Sequence, residues 1–167
     1  MKLKGLVDED IANYKKCSMF LIFPTCSFKC DHECGRTVCQ NSSLANAMAV
    51  EVDKETVILR YVNNPMTSAI VCGGLEPFDS PQSLLSFVDS LRRIHKIEDD
   101  VVIYTGYTEE ELENDSLLSS FYRNLRRYKN IIIKFGRFIP NQESHLDPIL
   151  GVELASPNQY AKEVSEI

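Results

Sequence analysis

The 167 residues carry a net charge of -6 and are 44% hydrophobic, which suits one compact domain with a core of its own. An acidic balance of this size works against a nucleic-acid partner, whose phosphates call for clustered lysine and arginine. No stretch approaches the roughly 20 apolar residues that span a bilayer. Met1 to Asp10 is too acidic for a signal or transit peptide, so a cytoplasmic protein with no membrane partner is expected.

The first apolar run, Ser18 to Phe23, is short and ends at Pro24, which favours a buried strand over a helix. A cysteine-rich segment follows at once. Ser42 to Val50 then reads as a short helix and Asp53 to Tyr61 as a second. Thr67 to Cys72 is the next strand, running into Gly73 and Gly74. A helix starts near Ser80 and Pro81, with proline at its first position and Leu84, Leu85, Val88 and Leu91 on one face. Asp100 to Tyr104 is a third strand, and Thr108 followed by Glu109, Glu110 and Glu111 has the hydroxyl cap and first-turn acids of a helix start. A helix with Leu117, Leu118, Phe121 and Leu125 leads to the fourth strand, Asn130 to Phe135. Arg123, Arg126, Arg127 and Lys129 fall at helical spacing before it and read as a solvated face. Asn141 to Ile167 has the least legible pattern.

Strands alternating with amphipathic helices imply a parallel sheet with right-handed crossovers. A closed eight-stranded barrel takes about 250 residues. The expected architecture is therefore one α/β domain over residues 1–167, a partial (β/α) barrel or an open parallel sheet of four to five strands.

Six cysteines without an export signal argue against a disulfide framework. Cys17 and Cys72 adjoin apolar segments and read as inert thiols. The other four, Cys26, Cys30, Cys34 and Cys39, crowd into one loop after the first strand, which is a metal-site pattern. Thiolates this close can wrap an iron-sulfur cluster, three of them ligating and the fourth iron left open. A zinc site on the four cysteines, or with His32 replacing one, is the alternative, and a four-cysteine electron-transfer cluster is another. Lys29 and Arg36 sit within the loop and would offset its negative charge. No histidine among His32, His95 and His145 is paired by motif with a nucleophile.

The order of motifs resembles the radical S-adenosylmethionine superfamily, and within it the activating proteins of anaerobic (class III, glycyl-radical) ribonucleotide reductase. The likeness rests on the cysteine loop ending Val38-Cys39-Gln40-Asn41, on Gly73-Gly74-Leu75-Glu76-Pro77, on Tyr104-Thr105-Gly106-Tyr107 and on Ala155 to Gln159. Cys26 and Cys30 keep the family's spacing. The third cysteine departs from it, being either Cys34 after three residues or Cys39 after eight, and the flanks favour Cys39 with Asp31 to Thr37 as an insertion.

The resemblance implies a 4Fe-4S cluster and S-adenosyl-L-methionine as cofactors, with Cys26, Cys30 and Cys39 (or Cys34) on the iron. It implies ligand contacts from Val38, Gly73, Gly74, Glu76, Thr105, Gly106, Lys134 and Asn158, with Arg137 beside Lys134 for the ligand's carboxylate and Gln159 beside Asn158 for its ribose or adenine, a helix cap being the alternative for the last two. Were Cys34 the ligand, His32 would move toward the adenine. It also implies a radical-generating oxidoreductase whose partners are a glycyl-radical enzyme and a small electron donor such as a flavodoxin or ferredoxin. A radical enzyme acting on another peptide or small molecule, or a metal-binding module without catalysis, are the competing readings.

Overall fold

Near-continuous apolar runs demand cover on both faces, and the strands that carry them occupy the middle of the sheet. The computed structural model describes residues 1–166, and Ile167, the end of the expected domain, lies outside the described residues. The first half contains β1 (Lys2–Leu3), β2 (Gly5–Asp10), β3 (Ser18–Phe23), α1 (Lys29–Cys34), a 3-10 turn at Ser42–Asn46, β4 (Val50–Glu51), α2 (Lys54–Val62) and β5 (Ala69–Gly74). After a 3-10 turn at Pro77–Asp79 come α3 (Pro81–Asp89) with a π-helical extension at Ser90–Ile94, β6 (Asp100–Tyr104), α4 (Glu109–Asn114), α5 (Leu118–Leu125) and β7 (Ile131–Phe135). The chain ends with β8 (His145–Asp147), β9 (Val152–Leu154) and β10 (Tyr160–Glu163).

The expected α/β class holds, as an open sheet. β3, β5, β6 and β7 lie side by side and parallel in that order. The sheet is wider than four or five strands, because β2 pairs antiparallel with β3 at one edge and β10 antiparallel with β7 at the other. Neither edge strand shows an apolar run. β2 carries Asp8, Glu9 and Asp10, and charge of this kind on an edge discourages pairing with a further chain.

Strand order advances one way without reversal, so right-handed crossovers put the intervening helices on a single face. Val57, Ile58 and Tyr61 of α2, Leu84, Phe87 and Val88 of α3, and Leu118, Tyr122 and Leu125 of α5 pack there on Leu21, Ile70, Ile103 and Ile133. Each such side chain contributes about 1.5–3 kcal/mol of burial. The alternate strand residues Val71, Val102 and Ile132 face the other way and meet Tyr14, Leu150 and Leu154, so a loop and the β8–β9 hairpin cover this face in place of helices.

Several local expectations shift. The helix expected from Ser42 to Val50 is a 3-10 turn that stops at Asn46, leaving Met48 exposed, and Val50–Glu51 pairs with β1. Lys4 Nζ donates to the carbonyls of Leu44 and Ala45, at 2.6 Å each, satisfying acceptors at the turn's end. Gly73 and Gly74 belong to β5, since the ladder with β3 runs on to Phe23 opposite Gly74. Ser80 precedes α3 as expected, but its hydroxyl pairs with Thr25 Oγ1 at 2.8 Å and leaves the helix amides uncapped. Thr108 forms a full capping box with Glu111. Arg126, read as solvated, pairs with Glu166 at 2.7 Å and lies over the Tyr122 ring. No helix among the described residues is long and apolar enough to cross a membrane.

Candidate metal centre

A cavity of about 610 Å³ opens at the C-terminal ends of β5, β6 and β7, on the face without helices. Cys26, Cys30 and Cys39 form one wall, Gly74, Glu76, Thr105, Gly106, Lys134 and Gly136 form the strand-end floor, and Val152 and Leu154 of β9 close the far side. Cys34 is exposed and does not line it, and His32 is exposed as well.

The wall is held by backbone bonds from three directions. Thr25 O accepts from the Glu76 amide at 2.8 Å, which joins the loop to the end of β5. The Ser27 amide donates to Asp79 Oδ2 at 2.6 Å, and Asp79 Oδ1 accepts from the Tyr107 hydroxyl at 2.7 Å. Lys29 Nζ stands 4.2 Å from the centre of the Tyr107 ring, a cation-π contact. Phe28 adopts φ +52°, unusual for a bulky residue, and its amide donates to Cys26 Sγ at 3.2 Å. One turn of α1 follows, ended by Gly35 at φ +63°. Asp31 Oδ1 then accepts from both the Val38 and Cys39 amides, at 2.7 and 2.8 Å, and this folds the Asp31 to Thr37 insertion back on itself.

Burial pushes the Cys26 thiol up to about 12, with the Glu76 and Asp79 carboxylates and Cys39 adding to it and the Phe28 amide opposing it. Burial raises Cys30 too, opposed chiefly by the Phe138 amide. Sulfur held neutral in this way needs a strong cationic partner to ionise it, and iron deprotonates a coordinating thiol outright. Among the described residues, no group of three or more His, Cys, Asp or Glu side chains is disposed to hold a single metal ion. A cluster differs in seating its thiolates on separate irons, and three cysteines spread over one cavity wall fit that donor set.

The floor is organised by Glu76, whose carboxylate is buried, not solvated. Oε1 accepts from the Phe78 amide and the Thr105 hydroxyl, at 3.0 and 2.8 Å, and Oε2 accepts from the Gly106 amide at 2.8 Å. Desolvation nonetheless moves it up to about 7. Lys134 is likewise buried, donates to Gly136 O at 2.7 Å, and is brought down to about 8 by desolvation, partly offset by Glu76 and Cys30. Gly136 has φ +96°, and a Cβ there would fall 2.7 Å from Asn158 O, so only glycine allows the chain from β9 to β10 to cross so close.

The expected contact residues divide into two groups. Gly74, Glu76, Thr105, Gly106, Lys134 and Gln159 line the cavity together with the three cysteines. Gly73, Val38 and Asn158 do not. Gly73 backs onto the Phe20 ring, the Val38 amide is committed to Asp31, and Asn158 Nδ2 donates to Arg137 O at 2.8 Å. Arg137 is spent elsewhere, with both terminal nitrogens on the Glu111 carboxylate at 2.6 and 2.9 Å and Nε 3.2 Å from Glu33. Sequence reasoning missed Asp31, Asp79, Phe20 and Glu153. Only Asp79 offered a signal, being an acid two residues beyond the Gly73 to Pro77 motif.

Comparison with curated proteins and with solved structures finds no match. The profile of the 4Fe-4S single cluster domain family matches residues 15–151. That span holds the cysteine loop and all four parallel strands, so the chain belongs to the 4Fe-4S single cluster domain family and is an iron-sulfur protein.

Proposed function

We propose that the chain is a radical S-adenosylmethionine enzyme that installs a glycyl radical on anaerobic ribonucleotide reductase. The observation that carries this reading is a single cavity with three cysteines on one wall and the ends of three parallel strands on its floor. Three protein thiolates leave one iron of a 4Fe-4S cluster free for a ligand, whereas an electron carrier takes four. A volume of about 610 Å³ falls within the range of pockets for small-molecule ligands. When bound, the cluster and S-adenosylmethionine supply reductive cleavage to methionine and a 5′-deoxyadenosyl radical.

Cys26, Cys30 and Cys39 hold the iron in this reading. Lys134 offers its ammonium to the ligand's carboxylate, and the backbone carbonyls after Gly74 accept from its amine. Glu76 holds Thr105 and Gly106 in place through both carboxylate oxygens, leaving its own charge buried beside the ligand's cationic groups. Phe20, Tyr104 and Leu154 present apolar surface that keeps water from the bound nucleoside. A small flavodoxin or ferredoxin serves as electron donor.

Anaerobic reconstitution with iron and sulfide tests the reading. The loaded protein, once reduced, should release 5′-deoxyadenosine, and adding the reductase should produce a glycyl-radical signal in electron paramagnetic resonance. Cys26→Ala and Cys30→Ala should each abolish iron retention. A fully loaded, reduced protein that leaves S-adenosylmethionine intact would overturn the proposal.

A further inference from the structure

From the bonds that close the cysteine loop, we infer that Asp31 is a positioning residue which delivers Cys39, and not the nearer Cys34, as the third sulfur of the site. The inference rests on the three-thiolate reading above. Eight residues separate Cys30 from Cys39, enough to carry Cys39 well away from Cys30 in an unbraced loop. α1 makes one turn and stops at Gly35, whose left-handed conformation reverses the chain. Cys34, the last residue of that turn, is exposed and outside the cavity.

The return leg is fixed at one atom. Oδ1 of Asp31 accepts from Val38 N at 2.7 Å and from Cys39 N at 2.8 Å, so the two amides bracketing the Val38–Cys39 junction converge on a side chain directly after Cys30. Cys39 then lines the cavity beside Cys26 and Cys30. No other side chain among the described residues receives a hydrogen bond from either amide.

Because both bonds end on a single oxygen, an asparagine whose carbonyl takes that oxygen's place can keep both. The role is therefore one of accepting, not of charge, and the conservative variant should rescue it. In the protein without iron, Asp31→Ala should raise the alkylation rate of Cys39 several-fold toward that of Cys34, read by mass spectrometry of the separate peptides, while Asp31→Asn stays near wild type. Cys72, fully buried in the sheet, is the internal control and should remain protected in each variant.

After reconstitution, Asp31→Ala and Cys39→Ala should lose iron to a chelator at least tenfold faster than wild type, and Asp31→Asn and Cys34→Ala should not. Unchanged Cys39 alkylation in Asp31→Ala overturns the inference, as does Asp31→Asn behaving like Asp31→Ala, or Cys72 opening together with Cys39. Retention of iron by Cys39→Ala with loss by Cys34→Ala also overturns it. If wild type holds no iron, the three-thiolate reading fails by itself, and the alkylation rates still decide whether Asp31 braces the loop.

Discussion

Glu76 was expected to meet a ligand, and its side chain has a second task that only its neighbours reveal. Three donors converge on the carboxylate, yet burial still raises it from the usual 4.5 to about 7. A carboxyl that binds its proton more tightly when folded stabilises the fold fully below its unfolded value and loses that contribution as pH rises through its folded one. At about 1.4 kcal/mol per pH unit, the loss between pH 4.5 and 7 is on the order of 3 kcal/mol. In urea titrations of the iron-free protein, Glu76→Gln should lack this decline. It should also be less stable near pH 4.5, because the amide nitrogen replaces one of the two oxygens and leaves either the Gly106 amide or the Phe78 amide without its acceptor. Identical pH slopes in the two proteins would show that the carboxylate does not titrate in this range. The motif in the sequence marked Glu76 as important, but three donors from sites up to 30 residues away could not be read from it.

At the scale of elements, most boundaries were legible because the local chemistry is strong. Thr108 with Glu111 is a capping box in sequence and in structure, the hydroxyl accepting from the Glu111 amide at 3.1 Å and the Glu111 carboxylate from the Thr108 amide at 2.9 Å. Thr108→Ala should cost about 1 kcal/mol in chemical denaturation, and Thr108→Ser much less. A smaller loss than a few tenths for the alanine would mean that the Arg137–Glu111 pair alone holds the start of α4. Elements without such signals were missed. β2 and β10 carry charge in place of an apolar run, and α1 begins on a left-handed phenylalanine with no side-chain cap, so neither periodicity nor capping announces them.

Across the whole molecule, one buried carboxylate stitches the covering of the helix-free face. Asp147 Oδ1 accepts from the Ile149 and Leu150 amides and Oδ2 from the Ala161 amide, each at 2.9 Å, joining the β8–β9 hairpin to β10. Asp147→Ala would strand three buried or half-buried amide donors, at a cost of about 3 kcal/mol or more. Hydrogen exchange should speed up at Ile149, Leu150 and Ala161 while β5 and β6 stay protected. Uniform loss of protection would show instead that hairpin and sheet unfold as one unit. The hairpin also supplies Val152, Glu153 and Leu154 to the cavity, so loosening it should open the site on that side.

By itself the sequence determined the four parallel strands, the helices α2, α3, α4 and α5 between them and the loop that gathers the cysteines, because apolar period, caps and thiol spacing act over a few neighbouring residues. The residues flanking Cys39 already favoured it, and the tertiary structure sets it beside Cys26 and Cys30 while Cys34 stays in solvent; that Arg137 belongs to Glu111 and that a hairpin covers the second face were decided by the tertiary structure alone. Those outcomes depend on where single hydrogen-bond acceptors meet amides distant in the chain, and a linear pattern carries no record of such meetings.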